Sequence, residues 1–147
     1  MLKRSRGQVS VELAVVLPLL CIFVMTCLQF ILIFDTYLSV MNVARDAGRW
    51  LVIHPHTTDS VTRTTMNTRL PSNIDSSKLT LAFSPACASL TSGSCSGRNV
   101  NTQLAVTASY NISSLLFLPA TFRIMNLTVQ VPTTLPAYTI YMKIEPN

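Results

Sequence analysis

The chain has 147 residues and a formal net charge of +5, with 49% hydrophobic but only 12% charged residues, and its mean hydropathy is +0.42. A soluble domain carries about 25% charged residues, so this composition excludes a disordered tail, a collagen and a coiled coil. It also argues against a cytosolic enzyme, which would lack the charge to coat its surface; the length allows about one domain.

The surplus apolar content is concentrated near the N-terminus. Residues 13–34 contain no charged side chain, and only Pro18, Thr26 and Gln29 interrupt their apolar character. At about 1.5 Å per residue a helix of this run spans roughly 33 Å, enough for a hydrocarbon core of about 30 Å. The apolar part of a secretory signal peptide is shorter, about 7 to 15 residues, and ends in a small-residue cleavage site, which is missing here. Lys3, Arg4 and Arg6 precede the run, so the N-terminus is expected in the cytoplasm and the remainder on the far side of the membrane. Cys21 and Cys27 lie six residues apart within the span and read as apolar packing residues.

Glu12 stands at the start of the apolar run. A carboxylate at the edge of hydrocarbon is costly and marks a function, unless it snorkels to the interface or complements a helix N-terminus. Gly7 closes a short basic leader five residues earlier. The stretch from Gly7 to Pro18, Gly-Gln-Val-Ser-Val-Glu-Leu-Ala-Val-Val-Leu-Pro, resembles the class III signal of type IV prepilins and pseudopilins. Within that superfamily it is most similar to TadE-like proteins of the tight-adherence (Tad) pilus system, which also carry a downstream Ala-Arg-x-Ala-x-Arg-type segment. Here that segment reads Ala44-Arg-Asp-Ala47-Gly-Arg49. The resemblance covers about Arg6 to Leu51. Gln8 stands where many pilins have Phe or Met, and Leu13 where major Tad pilins often have an aromatic residue; both departures fit a minor subunit better than a major one.

The resemblance implies cleavage between Gly7 and Gln8 by a prepilin peptidase in the bacterial cytoplasmic membrane. The new α-amine at Gln8, with a reference pKa of about 7.7 to 8.0, would pair with Glu12 of a neighbouring subunit and set the axial register. Pro18 removes one helix hydrogen bond and permits a kink. Implied partners are other pilin or pseudopilin subunits, a membrane assembly platform, the peptidase and the lipid bilayer. Two other readings remain open: a single-pass membrane protein that never polymerises, with a binding or scaffolding head, and the major filament subunit itself.

Beyond Phe34 the pattern becomes amphipathic. Val40, Val43, Ala44, Ala47 and Leu51 recur at helical spacing, with Asp35, Ser39, Asn42, Asp46 and Arg49 opposite. Pro55 disfavours helical geometry at His54, so the helix is expected to end near Ile53. Arg45 and Arg49 share a face, with Asp46 in reach of Arg49; they are a solvated face or a subunit contact. His54 and His56 supply too few ligands for a metal site.

The expected fold is α+β. A leader (1–7) precedes a long helix (8–53) whose transmembrane part is about 13–34, and a small extracytoplasmic β-rich head follows (54–147). In the head, Thr58 or Asp59 is placed to cap a short helix running to about Arg69. Four alternating runs then read as strands: Leu79/Leu81/Phe83, Leu104/Val106/Ala108/Tyr110, Leu127/Val129/Val131 and Tyr138/Ile140/Met142/Ile144. Phe122 and Ile124 have the opposite parity to the third run, which predicts a bulge or break near Met125. These strands should form an antiparallel or mixed sheet on the amphipathic half of the long helix. Cys87 and Cys95 fit a loop-closing disulfide outside the cytoplasm.

No phosphate-binding loop, dinucleotide fingerprint or nucleophile elbow occurs, so no enzyme, cofactor or metal is expected. Nucleic acid is not an expected partner, because three of the basic residues behind the net charge sit in the leader and the others are scattered.

Overall fold

In the computed structural model one helix, α1 (Arg6–Ile53), runs unbroken for 48 residues with Pro18 inside it, a length of about 72 Å at 1.5 Å per residue. The structure describes residues 6–91, 93–116, 121–124, 127–130 and 132–145. Of the residues singled out in the sequence, Lys3, Arg4, Met125 and Val131 lie outside this set. α1 opens two residues before Gln8 and ends at Ile53, where the residue preceding Pro55 leaves helical geometry. His54 N still donates to Trp50 O at 2.9 Å, and its ring stacks on Trp50 at 4.6 Å.

The second helix, α2 (Asp59–Asn67), is shorter than expected. Arg69 N donates to Met66 O, three residues back, so the chain tightens before it reaches Arg69. The expected side-chain cap is not formed either. Thr58 is the N-cap residue, yet its hydroxyl lies 3.1 Å from Ser60 Oγ and makes no capping bond. Asp59 is drawn away by tertiary partners described below.

Three strands make the main sheet: β1 (Leu79–Ser84), β2 (Gln103–Tyr110) and β5 (Tyr138–Lys143), in the order β1-β2-β5 and antiparallel throughout. The third apolar run departs from expectation. It is not a fourth strand of this sheet. Instead β3 (Thr121–Ile124) and β4 (Leu127–Gln130) pair with each other as a separate two-stranded ladder, with Phe122 opposite Val129 and Ile124 opposite Leu127. The parity change is therefore the mark of a chain reversal. In this register the even-numbered positions of β3 stand opposite the odd-numbered positions of β4.

α1 packs on one face of the main sheet. Val40, Ala44, Ala47 and Leu51 are buried against Leu81, Phe83, Leu104, Val106 and Ala108. All five apolar positions named for the amphipathic half are buried, and Asp35, Asn42, Asp46 and Arg49 are exposed. Gly48 allows the closest approach: an added Cβ would lie 2.9 Å from Met142 Sδ and Cε. On the outer edge of the sheet, Arg63 of α2 donates from Nε to Leu81 O at 3.1 Å.

α1 and β5 run in the same direction. Arg45 lies 6.0 Å from the centre of the Tyr138 ring, and Gly48 meets Met142 one turn further on. The register Leu79↔Tyr110 and Ala108↔Tyr138 puts these residues at the end of the sheet nearer the apolar half of α1. Asn73 ties that end to the helix, with Nδ2 donating to Asp35 Oδ2 and Ser39 Oγ, each at 2.9 Å.

Candidate membrane and assembly surface

The first half of α1 offers a surface made for lipid or for other helices. Every residue from Ser10 to Leu28 is exposed, and the helix is long and apolar enough to cross a membrane. Leu19 and Phe23 are 70% and 66% exposed, far beyond what a single protein chain leaves in water over such a length. The polar groups in this half are sparing. Thr26 Oγ1 donates to Ile22 O at 2.9 Å, which keeps the hydroxyl satisfied without water. Cys21 and Cys27 are exposed free thiols.

Gly7, Gln8 and Glu12 all lie in the opening turns of α1. Glu12 is exposed between Val11 and Leu13, at 66% and 61%, and forms no ion pair among the described residues. A carboxylate in that setting lowers its free energy by reaching the interface or by meeting a cation from another molecule. Pro18 follows six positions later within the continuous helix.

Arg45 and Arg49 are both exposed, but their surroundings differ. Arg45 Nη1 donates to Asn42 Oδ1 at 3.5 Å and its guanidinium sits over Tyr138, so it belongs to the α1–β5 packing. Arg49 lines a largely apolar cleft of about 480 Å³ with Val52, Ile53, Met142, Lys143 and Glu145. Asp46 does not pair with Arg49 among the described residues. His54 and His56 join no group of three or more metal-ligating side chains among the described residues.

Cys87 and Cys95 are bonded, with Cα atoms 5.5 Å apart. Beside the bridge lies a centre that sequence reasoning missed. Arg98 is fully buried. Its Nε donates to Pro85 O at 2.8 Å, its Nη1 to Thr57 O at 3.0 Å, and its Nη2 to Asp59 Oδ1. Asp59 Oδ2 in turn accepts from Cys87 N at 3.1 Å, and Asp59 N donates to Cys87 O at 2.8 Å. Gly97 holds φ +87°, a left-handed turn that favours glycine, just before Arg98. Arg98 thus fastens the segment after α1, the turn after β1 and the disulfide loop to one another. The available signal was an arginine directly after a glycine, three residues beyond Cys95 in a β1–β2 connection that carries no other charge.

At the opposite end of the head, Asp75 Oδ1 accepts from Ser77 Oγ at 2.8 Å and Ser77 N at 2.9 Å, with Lys78 Nζ 3.6 Å from Oδ2. The Ser77 hydrogen bonds, side chain first, hold the Asp75 carboxyl below its ordinary value, with a further contribution from the Lys78 charge.

Residues 7–49 match the family model of TadE-like proteins. The match covers the helical segment from Gly7 to Arg49, including Glu12, Pro18 and Arg45. No curated protein and no solved structure matches the chain.

Proposed function

Taking the TadE-like match as premise, we propose that the chain is a minor pilin or pseudopilin that takes part in assembly of a Tad-type pilus through α1. The observation that carries this reading is Glu12, an exposed carboxylate five residues after Gly7 at the head of a membrane-length apolar helix. Cleavage after Gly7 leaves Gln8 with a free α-amine, a cation at neutral pH in roughly 80 to 90% of the molecules for an amine at the reference pKa. In an apolar surround the Glu12 carboxylate of one subunit and the Gln8 amine of the next stabilise each other only when aligned, so the pair selects an axial register. The exposed apolar half of α1 then exchanges lipid for neighbouring helices, and the head, held by Arg98 and the disulfide, faces away from the cytoplasm.

N-terminal peptide mapping of the protein from its native cells tests the processing step. A start at Gln8 that is lost when the prepilin peptidase is deleted is the expected result. A start at Met1 in cells with active peptidase assigns the chain to the permanently anchored, non-polymerising class. Glu12→Gln should leave processing intact but reduce incorporation into sheared filaments; unchanged incorporation removes the register role.

A further inference from the structure

The head begins where the apolar run of α1 ends. Ile33, inside the run, and Tyr37, just beyond it, already pack on the head core. Asn73 donates to Asp35 and Ser39, which with α1 along the bilayer normal stand about 2 and 8 Å beyond Phe34. The headgroup layer on each side of the hydrocarbon is about 5 to 7 Å deep. The turns around Asn73 therefore share its level.

These turns form the base of the head. Ile74 N donates to Pro71 O and Lys78 N to Asp75 O, so two turns follow each other just before β1. Asn111 N donates to Lys78 O at 3.1 Å, which joins the start of β1 to the end of β2. A second path gives the height of Lys78. Arg45 stands over Tyr138, and Tyr138, Ala108 and Leu81 lie side by side across the sheet. Arg45 is about 16 Å beyond Phe34 along α1. β1 runs in the direction of β5 and α1, so the three residues back from Leu81 to Lys78 descend about 10 Å. Lys78 thus starts about 6 Å above Phe34, at the level that Asn73 gives independently.

The Lys78 ammonium has three protons to donate. One goes to Ser114 Oγ at 2.6 Å. Asp75 Oδ2 is 3.6 Å away, longer than a charge-assisted hydrogen bond, and Oδ1 of the same carboxylate is taken up by Ser77. Lys78 also lines a cleft of about 560 Å³ with Thr80, Ser109, Asn111 and Thr134, whose hydroxyl and amide groups are further donors. A cation with spare protons among such donors suits an anion with several acceptor oxygens. We propose that the head rests on the bilayer by this base, and that Lys78 binds the phosphate of a phospholipid headgroup from the membrane that α1 spans. Its flexible four-carbon stem lets the charge follow a mobile headgroup. Arg69, four residues before Asn73, is exposed, forms no ion pair among the described residues and adds positive charge to the same segment. The inference rests on the membrane-spanning reading of α1, and the experiment separates the two.

The test uses the full chain in phospholipid bilayers, isotope-labelled at the lysine Nζ nitrogens. A Lys3→Gln background leaves Lys78 and Lys143 as the two lysines. In magic-angle-spinning NMR the Lys78 Nζ signal is expected to be dephased by lipid phosphorus. The Lys143 signal should be spared, because its neighbour Met142 lies at the level of Gly48, about 20 Å beyond Phe34. Lys78→Gln assigns the two signals, and Lys143→Gln does so should Lys78→Gln lose the disulfide or the far-ultraviolet circular dichroism of the parent. A separate Phe23→Trp in a Trp50→Phe background reports on the helix, with quenching by lipid brominated near the methyl end of the acyl chain expected. If Phe23→Trp is quenched and Lys78 is not dephased, the head stands clear of the bilayer and the proposal fails while the spanning helix stands. Dephasing of Lys143 as strongly as Lys78 means that the head lies on its side, which overturns the geometry. Dephasing of Lys78 by inorganic phosphate in phospholipid-free detergent, with none in bilayers, makes the site one for a free anion and likewise overturns the proposal. If Phe23→Trp escapes quenching, the spanning helix is wrong and the proposal falls with it.

Discussion

Gly48 of α1 lies against the tip of Met142 of β5, with room for no further carbon: a Cβ on the glycine would stand 2.9 Å from both Sδ and Cε. Two effects oppose each other in Gly48→Ala. The helix gains about 1 kcal/mol of intrinsic propensity, and the flexible methionine tip must move aside. Met142→Ala removes the obstruction, so Gly48→Ala made in that background should stabilise the head by up to about 1 kcal/mol. Gly48→Leu in the parent should destabilise by about 1 to 3 kcal/mol through overpacking. Chemical unfolding in detergent reads all three, and a destabilising Gly48→Ala in the Met142→Ala background contradicts the packing described.

Arg98→Ala should be among the most damaging single changes in the head. It leaves the Asp59 carboxylate and two carbonyls without their buried partner, a loss of about 3 to 5 kcal/mol. Arg98→Lys keeps the charge but not the planar fork that reaches Pro85 O, Thr57 O and Asp59 together, so it should recover only part of that loss. Equal stability of Arg98→Lys and the parent in urea would show that the fork geometry contributes nothing.

Reduction of the Cys87–Cys95 bridge, or its replacement by Cys87→Ser with Cys95→Ser, should cost about 2 to 3 kcal/mol for a loop of this size. The loss should be smaller in an Arg98→Ala background, because the bridge and the guanidinium restrain the same loop. A double-mutant cycle measures the coupling, and strict additivity would mean that the two restraints act independently.

Asp75 supplies a pH signature at the other end of the head. Its folded value is lowered by Ser77, so its contribution is complete above the unfolded value of about 3.9 and is lost as the pH falls through the folded value. The carboxylate is exposed, so the effect is small. The stability difference between the parent and Asp75→Asn should therefore be constant above about pH 5 and shrink on acidification below about pH 4. A difference that stays flat down to about pH 2 would exclude the lowered value.

Periodicity made the helix legible from end to end. The charge-free run, the switch to an amphipathic pattern and the proline after His54 each act locally, and the buried positions Val40, Ala44, Ala47 and Leu51 follow from spacing alone. Strand alternation likewise located β1, β2 and β5, whose inward faces are set by the pleat. The third run escaped because parity records a change of face without saying whether one strand bulges or two strands reverse. Asp59 was read as a cap because a cap is a local event, whereas its partners, Cys87 and Arg98, are 28 and 39 residues away. Gly48 carried no signal, since nothing in its neighbours says which strand will lie against it. The candidate assembly residues Gly7, Gln8 and Glu12 were legible only through their offsets, because the partner chemistry belongs to other molecules.

The same helix is the shaft of the molecule and one wall of its head core. Val40, Ala44, Ala47 and Leu51 bind the sheet along a line parallel to the helix axis, with β5 aligned in the same direction. A pull on the N-terminal end of α1 therefore loads these contacts in shear, all at once, instead of peeling them one by one. Tension along the shaft reaches the sheet without passing through a hinge, and the head would resist extraction by its collective strength, not by its weakest contact.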